Sequence, residues 1–407
     1  MKRKFSVLII LVFLSACERT TDNGEILKFY GDIKEDIGYS VAIAGDGYYI
    51  GGQLTEITRN GSQIVSSSKK PGIIKTGFDG NTVWKKYLGG RLEGSLSKVI
   101  VLSDGSVAAA GQVTDTITLK TDVFFAKINS DGTNPVWKTY SATGNLASKD
   151  LLQTFDGSLN PTGFIILGTT DVGRTVTSES VGNKEGKLDI LLLRIDNTLH
   201  QLDPDPPVWG FPENDEGVSI KAAPDGGYII TGSTERYKTE GNKHDLLMLK
   251  TNNLGSETGY QIIGGADDEY ATDFEVLNDG YVVVGNLGTT GETQSVFVKK
   301  ISLALDSLPL FSNSIVKSSS LSVNAMRKYK LSSFVLAGQT GTTSQSKMLI
   351  FAIDAGGNLI EGKEKISGST GVQAAYDVVT DNDNNIIALG MNTFGSNSMI
   401  SLLKFSF

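Results

Sequence analysis

One apolar, β-prone run ending in glycine recurs seven times along the 407 residues, at 48–53, 107–112, 164–169, 228–233, 281–286, 334–339 and 386–391. Its glycines, Gly51, Gly111, Gly168, Gly232, Gly285, Gly338 and Gly390, fall 52 to 64 residues apart. Self-similarity at such a period means that one supersecondary unit is repeated and that each unit buries its faces against its neighbours. Length alone would allow two or three domains, but the repeat replaces them with one array.

Each run is preceded by a short strand and a turn. Ser219 to Ala223 leads into Pro224-Asp225-Gly226-Gly227, and Phe274 to Leu277 leads into Asn278-Asp279-Gly280. Glycine and asparagine tolerate the positive φ of tight turns, so these are hairpin signals. A third apolar strand follows a variable loop, as in Leu246-Leu247-Met248-Leu249-Lys250, and then a more polar fourth, as in Val83-Trp84-Lys85-Lys86-Tyr87. Four antiparallel strands per repeat, the outermost the most polar, describe a propeller blade. The seventh copy ends at Phe407 without a fourth strand, and Ile26 to Gly31 at the other end reads like the missing one. The fold class expected is therefore all-β: a seven-bladed β-propeller whose last blade is completed, and whose ring is closed, by the N-terminal strand.

The copies resemble bacterial propeller repeats of the form Asp-Gly-Gly-Tyr-[Ile/Val]-[Ile/Val]-x-Gly. Asp225 to Gly232 is the fullest match, with Leu247-Met248-Leu249-Lys250 as its Leu-x-Lys element. The resemblance covers nearly all of the chain beyond the leader and implies fold, not ligand.

Lys2, Arg3 and Lys4, then an apolar run from Phe5 to Leu14, then Ser15-Ala16-Cys17, form a leader too short to span a bilayer. Leu14-Ser15-Ala16-Cys17 resembles a bacterial lipobox, and Cys17 is the single cysteine, which a disulfide cannot use. The domains expected are thus a signal peptide over 1–16, an acylated tether over 17–25 and one propeller over 26–407. Asp22 and Glu25 in the tether resemble the post-cysteine segments of Bacteroidetes-type surface lipoproteins, which implies an outer-membrane, lipid-anchored protein, periplasmic or displayed on the cell surface. The formal charge of −8 becomes −11 once the three leader cations are removed. An acidic chain with no basic block is a poor partner for nucleic acid or anionic membranes.

Chemistry is sparse. With only His200 and His244, a two- or three-histidine metal centre and a histidine-based triad are not expected. Asp381 to Asn385 copies the start of a calcium loop but has Ile386 where glycine is needed and Asn392 where the closing acid belongs, so it reads as a hairpin turn. Trp84, Trp137 and Trp209 read as packing between blades rather than as a quinone-cofactor motif. Acidic pairs recur before the first strand of several blades, at Glu35-Asp36, Asp215-Glu216 and Asp267-Asp268-Glu269. A feature repeated by blade serves turns or the solvated rim, whereas a glycosidase pair would be singular. No enzyme activity, cofactor or metal is expected.

Binding then falls to the loops between second and third strands, which share one face of the ring with the blade-to-blade connections. The longest are 55–71, 170–188 and 234–244. The last two belong to neighbouring blades and carry Arg174, Lys184, Lys187, Arg236, Tyr237, Lys238, Lys243 and His244, a basic and partly aromatic set on an acidic protein. The function expected is a non-catalytic interaction module docking to another outer-membrane or envelope protein, such as a transporter or assembly complex. The alternative is a carbohydrate- or peptide-binding protein using this face, with a glycan-active hydrolase behind both.

Overall fold

The computed structural model describes residues 19–20, 24–31, 34–142, 144–171, 187–236, 244–265, 267–288, 295–305, 309, 311–315 and 320–407. Its strands form seven antiparallel sheets, and the described residues contain no helix. Blades 1 to 6 occupy 37–87, 93–140, 146–209, 215–263, 269–315 and 321–367, each with strands A to D in sequence order. Blade 7 takes its strands A to C from Gln373–Thr380, Ile386–Phe394 and Asn397–Phe405 and its strand D from Ile26–Tyr30. This closure is as the sequence implied, in the register Ile26↔Lys404 through Tyr30↔Ile400. Arg19–Thr20, within the stretch read as tether, adds a short fifth strand outside Ile26–Tyr30.

Strand A of every blade touches strand A of the next, all the way round, so the seven A strands enclose the axis. Strands B and C are almost wholly buried, and the apolar side chains form seven clusters, one at each interface between blades. The closing interface contains Tyr48, Ile50 and Leu54 of blade 1 against Ile387, Leu389 and Leu402 of blade 7. At about 1.5–3 kcal/mol for each fully buried aliphatic side chain, each interface is held mainly by apolar burial. Polar staples add direction. Tyr30 Oη donates to Gly80 O at 2.7 Å, Trp84 Nε1 to Ser130 O at 3.1 Å and Tyr140 Oη to Leu199 O at 3.0 Å, each from strand D of one blade to a turn of the next. Trp209 Nε1 likewise reaches Glu257 of blade 4 at 2.6 Å. Trp84 and Trp209 are thus the blade-to-blade groups expected, whereas Trp137 is 43 % exposed on the outer edge.

The repeated glycine has a backbone cause. All seven A strands carry a β-bulge at the same register, with the extra residue being Tyr39, Ser97, Lys149, Val218, Thr272, Asn324 or Tyr376. The bulge drives a strand A carbonyl against strand B. A Cβ on Gly232 would lie 1.9 Å from Glu216 O, and one on Gly390 1.8 Å from Ala374 O. Only glycine leaves that room. In blade 1 the equivalent residue is Gly52, opposite Gly38, one position beyond the glycine that the repeat pattern picks out.

The stretch 55–71, read as a loop, is instead a β-arm. Strands Gly47–Asn60 and Gln63–Thr76 continue past the blade as far as Asn60↔Gln63, with one bulge at Val65. Asp381 to Asn385 is the expected hairpin turn. Asp381 Oδ1 accepts from the backbone of Asp383 and Asn385, and Asn384 sits at φ 61°.

Candidate functional site

A bulge re-aims a side chain, and seven bulges at one register point seven side chains at the axis. Tyr39, Ser97, Lys149, Val218, Thr272, Asn324 and Tyr376 all line a cavity of about 310 Å³ there. Tyr39 and Tyr376, from blades 1 and 7, pack with ring centroids 5.5 Å apart and form its aromatic wall. The cavity opens towards Ser95, Gln112 and Ser148 at the end that carries the B–C loops. Ser97 Oγ and Thr272 Oγ1 donate to Ala110 O and Val284 O of their own B strands, at 3.3 Å each.

Beneath this throat lies a ring of charge. Lys98, Lys221 and Arg327 stand in blades 2, 4 and 6, and Asp150, Asp273 and Asp377 in blades 3, 5 and 7. At the position after the bulge stand Ser40, Lys98, Asp150, Ser219, Asp273, Ala325 and Asp377, and the cations Lys221 and Arg327 lie two residues further along their strands. Each aspartate captures an amide of the next blade. Asp150 Oδ2 accepts from Ile220 N, Asp273 Oδ2 from Met326 N and Asp377 Oδ2 from Val41 N, all at 3.0 Å. Arg327 bridges the last two acids, with Nη1 at 2.6 Å from Asp273 Oδ2 and Nη2 at 3.0 Å from Asp377 Oδ1. Lys221 Nζ is 3.0 Å from Glu275 Oε1. Lys98 Nζ is held more loosely, 4.0 Å from both Asp150 and Asp377.

Burial alone would push Asp273 up, but the charges of Arg327 and Lys221 and the Met326 amide outweigh it and bring its pKa down to about 2. A carboxyl so held is an acceptor at neutral pH and not a proton donor. Among the described residues, no group of three or more acidic, histidine or cysteine side chains is placed to hold a metal ion.

The repeated acids before strand A divide in two. Glu35 and Glu216 reach solvent as expected, but Asp36, Asp215 and Glu269 point inwards and are buried. They are equivalent positions, two residues ahead of the first bulge partner. Asp36 accepts from Thr55 N at 2.6 Å, Asp215 accepts from Phe211 N, and Glu269 pairs with buried Lys299. Rim solvation therefore describes only the outer member of each pair. Asp215 and buried Asp189 crowd one glycine, since a Cβ on Gly210 would lie 3.1 Å from Asp215 Oδ2 and 2.1 Å from Asp189 Oδ1. Burial, only partly offset by the Phe211 amide and Thr234, lifts the Asp215 pKa to about 7.

Of the basic loop set, Lys187, Arg236 and His244 are described, and they come together along blades 3 to 5. Each is engaged. Lys187 Nζ lies 2.9 Å from Glu213. The Arg236 guanidinium covers the Phe211 ring at 4.0 Å and donates to Tyr260 Oη at 2.7 Å. His244 Nε2 lies 3.0 Å from Glu235 while the ring packs on Tyr270 at 4.6 Å. Arg174, Lys184, Tyr237, Lys238 and Lys243 lie outside the described residues, as does Cys17. His200, 74 % exposed, bonds Thr198 in its turn.

The axial throat was not found from the sequence, although its trace is there. A polar residue precedes an apolar one in six A strands, at Ser40-Val41, Lys98-Val99, Asp150-Leu151, Ser219-Ile220, Asp273-Phe274 and Asp377-Val378, eleven to thirteen positions before the repeated glycine in five of them and eighteen in blade 3.

These features define the class as a seven-bladed β-propeller. Neither known sequence families nor curated proteins match the chain. Solved structures do. The crystal structure of Chaetomium thermophilum Raptor is similar over 93 % of this chain with a TM-score of 0.53 and 8 % identity, and this chain spans only 29 % of that one. Chaetomium thermophilum Sqt1 is similar over 89 % of this chain and 82 % of its own, at TM-score 0.46 and 8 % identity. A glucose dehydrogenase is similar over 94 % and 99 %, at 0.42 and 12 %. At such identities the shared property is the fold.

Proposed function

We propose that this chain is a non-catalytic docking module, an exported lipoprotein held at an outer membrane through acylated Cys17, which engages another envelope protein from its loop face. A nutrient transporter or an assembly complex is the partner class favoured by the leader and tether, which resemble those of Bacteroidetes-type surface lipoproteins. The observation that carries the docking reading is the β-arm of blade 1. Its root is fastened, with Leu54, Thr55 and Lys70 buried and Lys70 Nζ bonded to Gly90 O and Leu92 O. Beyond the root, residues 56–68 make their β-ladder with each other, and no strand among the described residues lies along either outer edge. An isolated two-stranded ribbon is marginal in water, and open edges accept a further strand. Val65 is 58 % exposed there and Gln63 to Ser68 carry no charge, so nothing on that edge repels a partner strand.

A second reading, a small-ligand-binding protein, is favoured by the Tyr39 and Tyr376 wall of the throat. Hydrolysis is disfavoured because the axial carboxylates are occupied by amides and cations.

The test is affinity recovery of the tagged, lipidated protein from its native envelope in mild detergent, beside a variant in which 56–68 is replaced by an Asn-Gly turn. Recovery of an envelope protein by the parent and its loss from the variant, at unchanged thermal stability, is the expected result. Equal recovery by both would remove the arm from the interface, and recovery of no protein by either would refute docking.

A further inference from the structure

The throat presents its two signs of charge unequally. The side chains of Lys98, Lys221 and Arg327 are 22–24 % exposed and that of Lys149 is 35 % exposed, whereas those of Asp150, Asp273 and Asp377 are 12 %, 8 % and 5 % exposed. The acids are turned into the seams, where backbone amides fill their lone pairs. Asp377 alone accepts from Ser40, Val41, Val378 and Arg327. What faces the cavity is the cationic half of a balanced ring.

Lys98 is the least satisfied of these cations. An ammonium has three donors, yet Nζ stands 4.0 Å from each of its two acids, beyond hydrogen-bonding distance. Lys221 and Arg327, by contrast, each have an acid at 3.0 Å or less. The throat residues above add an aromatic wall of two rings tilted 47° to each other, and Asn324 keeps an amide oxygen while its nitrogen is tied to Ala375 O at 2.8 Å. At about 310 Å³ the cavity is at the small end of ligand sites, which run from about 300 to 1,000 Å³.

We propose that the axial throat binds a small organic carboxylate, its charge met by Lys98 and its flat apolar part lying against Tyr39 and Tyr376. A carboxylate suits an ammonium with free donors because a charge-assisted hydrogen bond is stronger than a neutral one. The lining carries four cations, Lys98, Lys149, Lys221 and Arg327, against three acids, so selection comes mainly from directed donors rather than from a long-range field. A free aromatic acid and the C-terminus of a peptide supply the same group. The site lies on the axis and owes nothing to the β-arm, so its failure and that of the docking reading are separable.

The experiment is titration calorimetry of the full chain with benzoate, against acetate and phenol as half-probes. Saturable one-to-one binding of benzoate, weaker for both half-probes, is expected. Lys98→Gln should weaken it at least tenfold, Lys98→Arg should retain it, and Tyr376→Ala should weaken benzoate more than acetate. Because Lys98→Gln also leaves Asp150 and Asp377 closer to mutual repulsion, its thermal unfolding is measured alongside, and Lys98→Arg and Tyr376→Ala carry the test if it does not fold. Comparing acetyl-Gly-Phe with its amide separates the sources. Tighter binding of the free peptide than of benzoate identifies a peptide terminus, and the reverse identifies a free acid. No saturable benzoate binding, or binding unchanged by Lys98→Gln in a folded protein, overturns the proposal.

Discussion

Asp273 and Asp215 are both buried carboxyls on strand A of adjoining blades, yet their proton affinities move in opposite directions. Asp273 has Arg327, Lys221 and two amides about it and is held at about 2. Asp215 has one amide, Thr234 and the like charge of Glu235, with the charge of Arg236 acting the other way, and rises to about 7. Burial is common to both, so the partners decide. The axis is a seam of compensated charge, and the junction of blades 3 and 4 is a seam of crowded acid.

The largest test of that contrast removes the compensation. Arg327→Met leaves Asp273 and Asp377 facing each other in a buried site, and breaking such a pair costs about 3–5 kcal/mol. Denaturant unfolding at pH 7 should show this, with Arg327→Lys recovering much of it. A loss below about 1 kcal/mol would mean that the amides alone hold the two acids.

A second effect, with a definite sign, is expected at Asp215. The native state keeps a proton there up to about pH 7, whereas the unfolded chain releases it near 3.8, the ordinary value for aspartate. Between these limits the native state binds more protons, so the contribution of Asp215 to stability falls as pH rises, by about 1.4 kcal/mol per pH unit, and levels off above 7. Asp273 behaves oppositely, since its stabilisation is full above 3.8 and is lost as pH falls through about 2. Subtracting the unfolding free energy of Asp215→Asn from that of the parent across pH 4–8 isolates the first effect. A flat difference would show that the Asp215 site is not short of compensation.

The smallest effect belongs to a neutral staple. Tyr140→Phe removes the bond to Leu199 O at the junction of blades 2 and 3 and should cost about 1 kcal/mol, with no dependence on pH between 4 and 8. Equal costs at Tyr140 and Arg327 would erase the distinction between charged and neutral seams.

The ring and its closure were legible because they rest on local chemistry repeated seven times: Asp-Gly turns, alternating apolar strands and a glycine. The bulge was only half legible. Gly232 signals it, but nothing in a single chain says that the residue thereby re-aimed is Val218 or that its six counterparts meet at an axis. The β-arm was missed for a different reason. Glu56 to Lys69 is polar and serine-rich, so its pattern is that of a solvated loop even where its backbone forms a ladder. The acids were misjudged by half, since Asp36 and Glu35 differ in burial although they are adjacent, and alternation along a strand start is invisible until the start is known. Lys187, Arg236 and His244 were grouped by charge, and their acidic and aromatic partners come from other strands and turns.

The pairing of Ile26–Tyr30 with Asn397–Phe405 also fixes an order of events. Strand A of each blade can dock on its neighbour as soon as both have been made, but the first strand of the propeller lacks its blade partner until the last has emerged. Closing so long a loop adds little free energy per added residue, because the entropy grows only with the logarithm of length. Its effect falls on timing. Through most of synthesis the growing array has two unsealed faces, blade 1 lacking blade 7 on one side, and apolar Tyr48, Ile50 and Ile74 wait uncovered. Such an array keeps its outer seams open while it is being made, and they are covered only when the final strand pairs with the first.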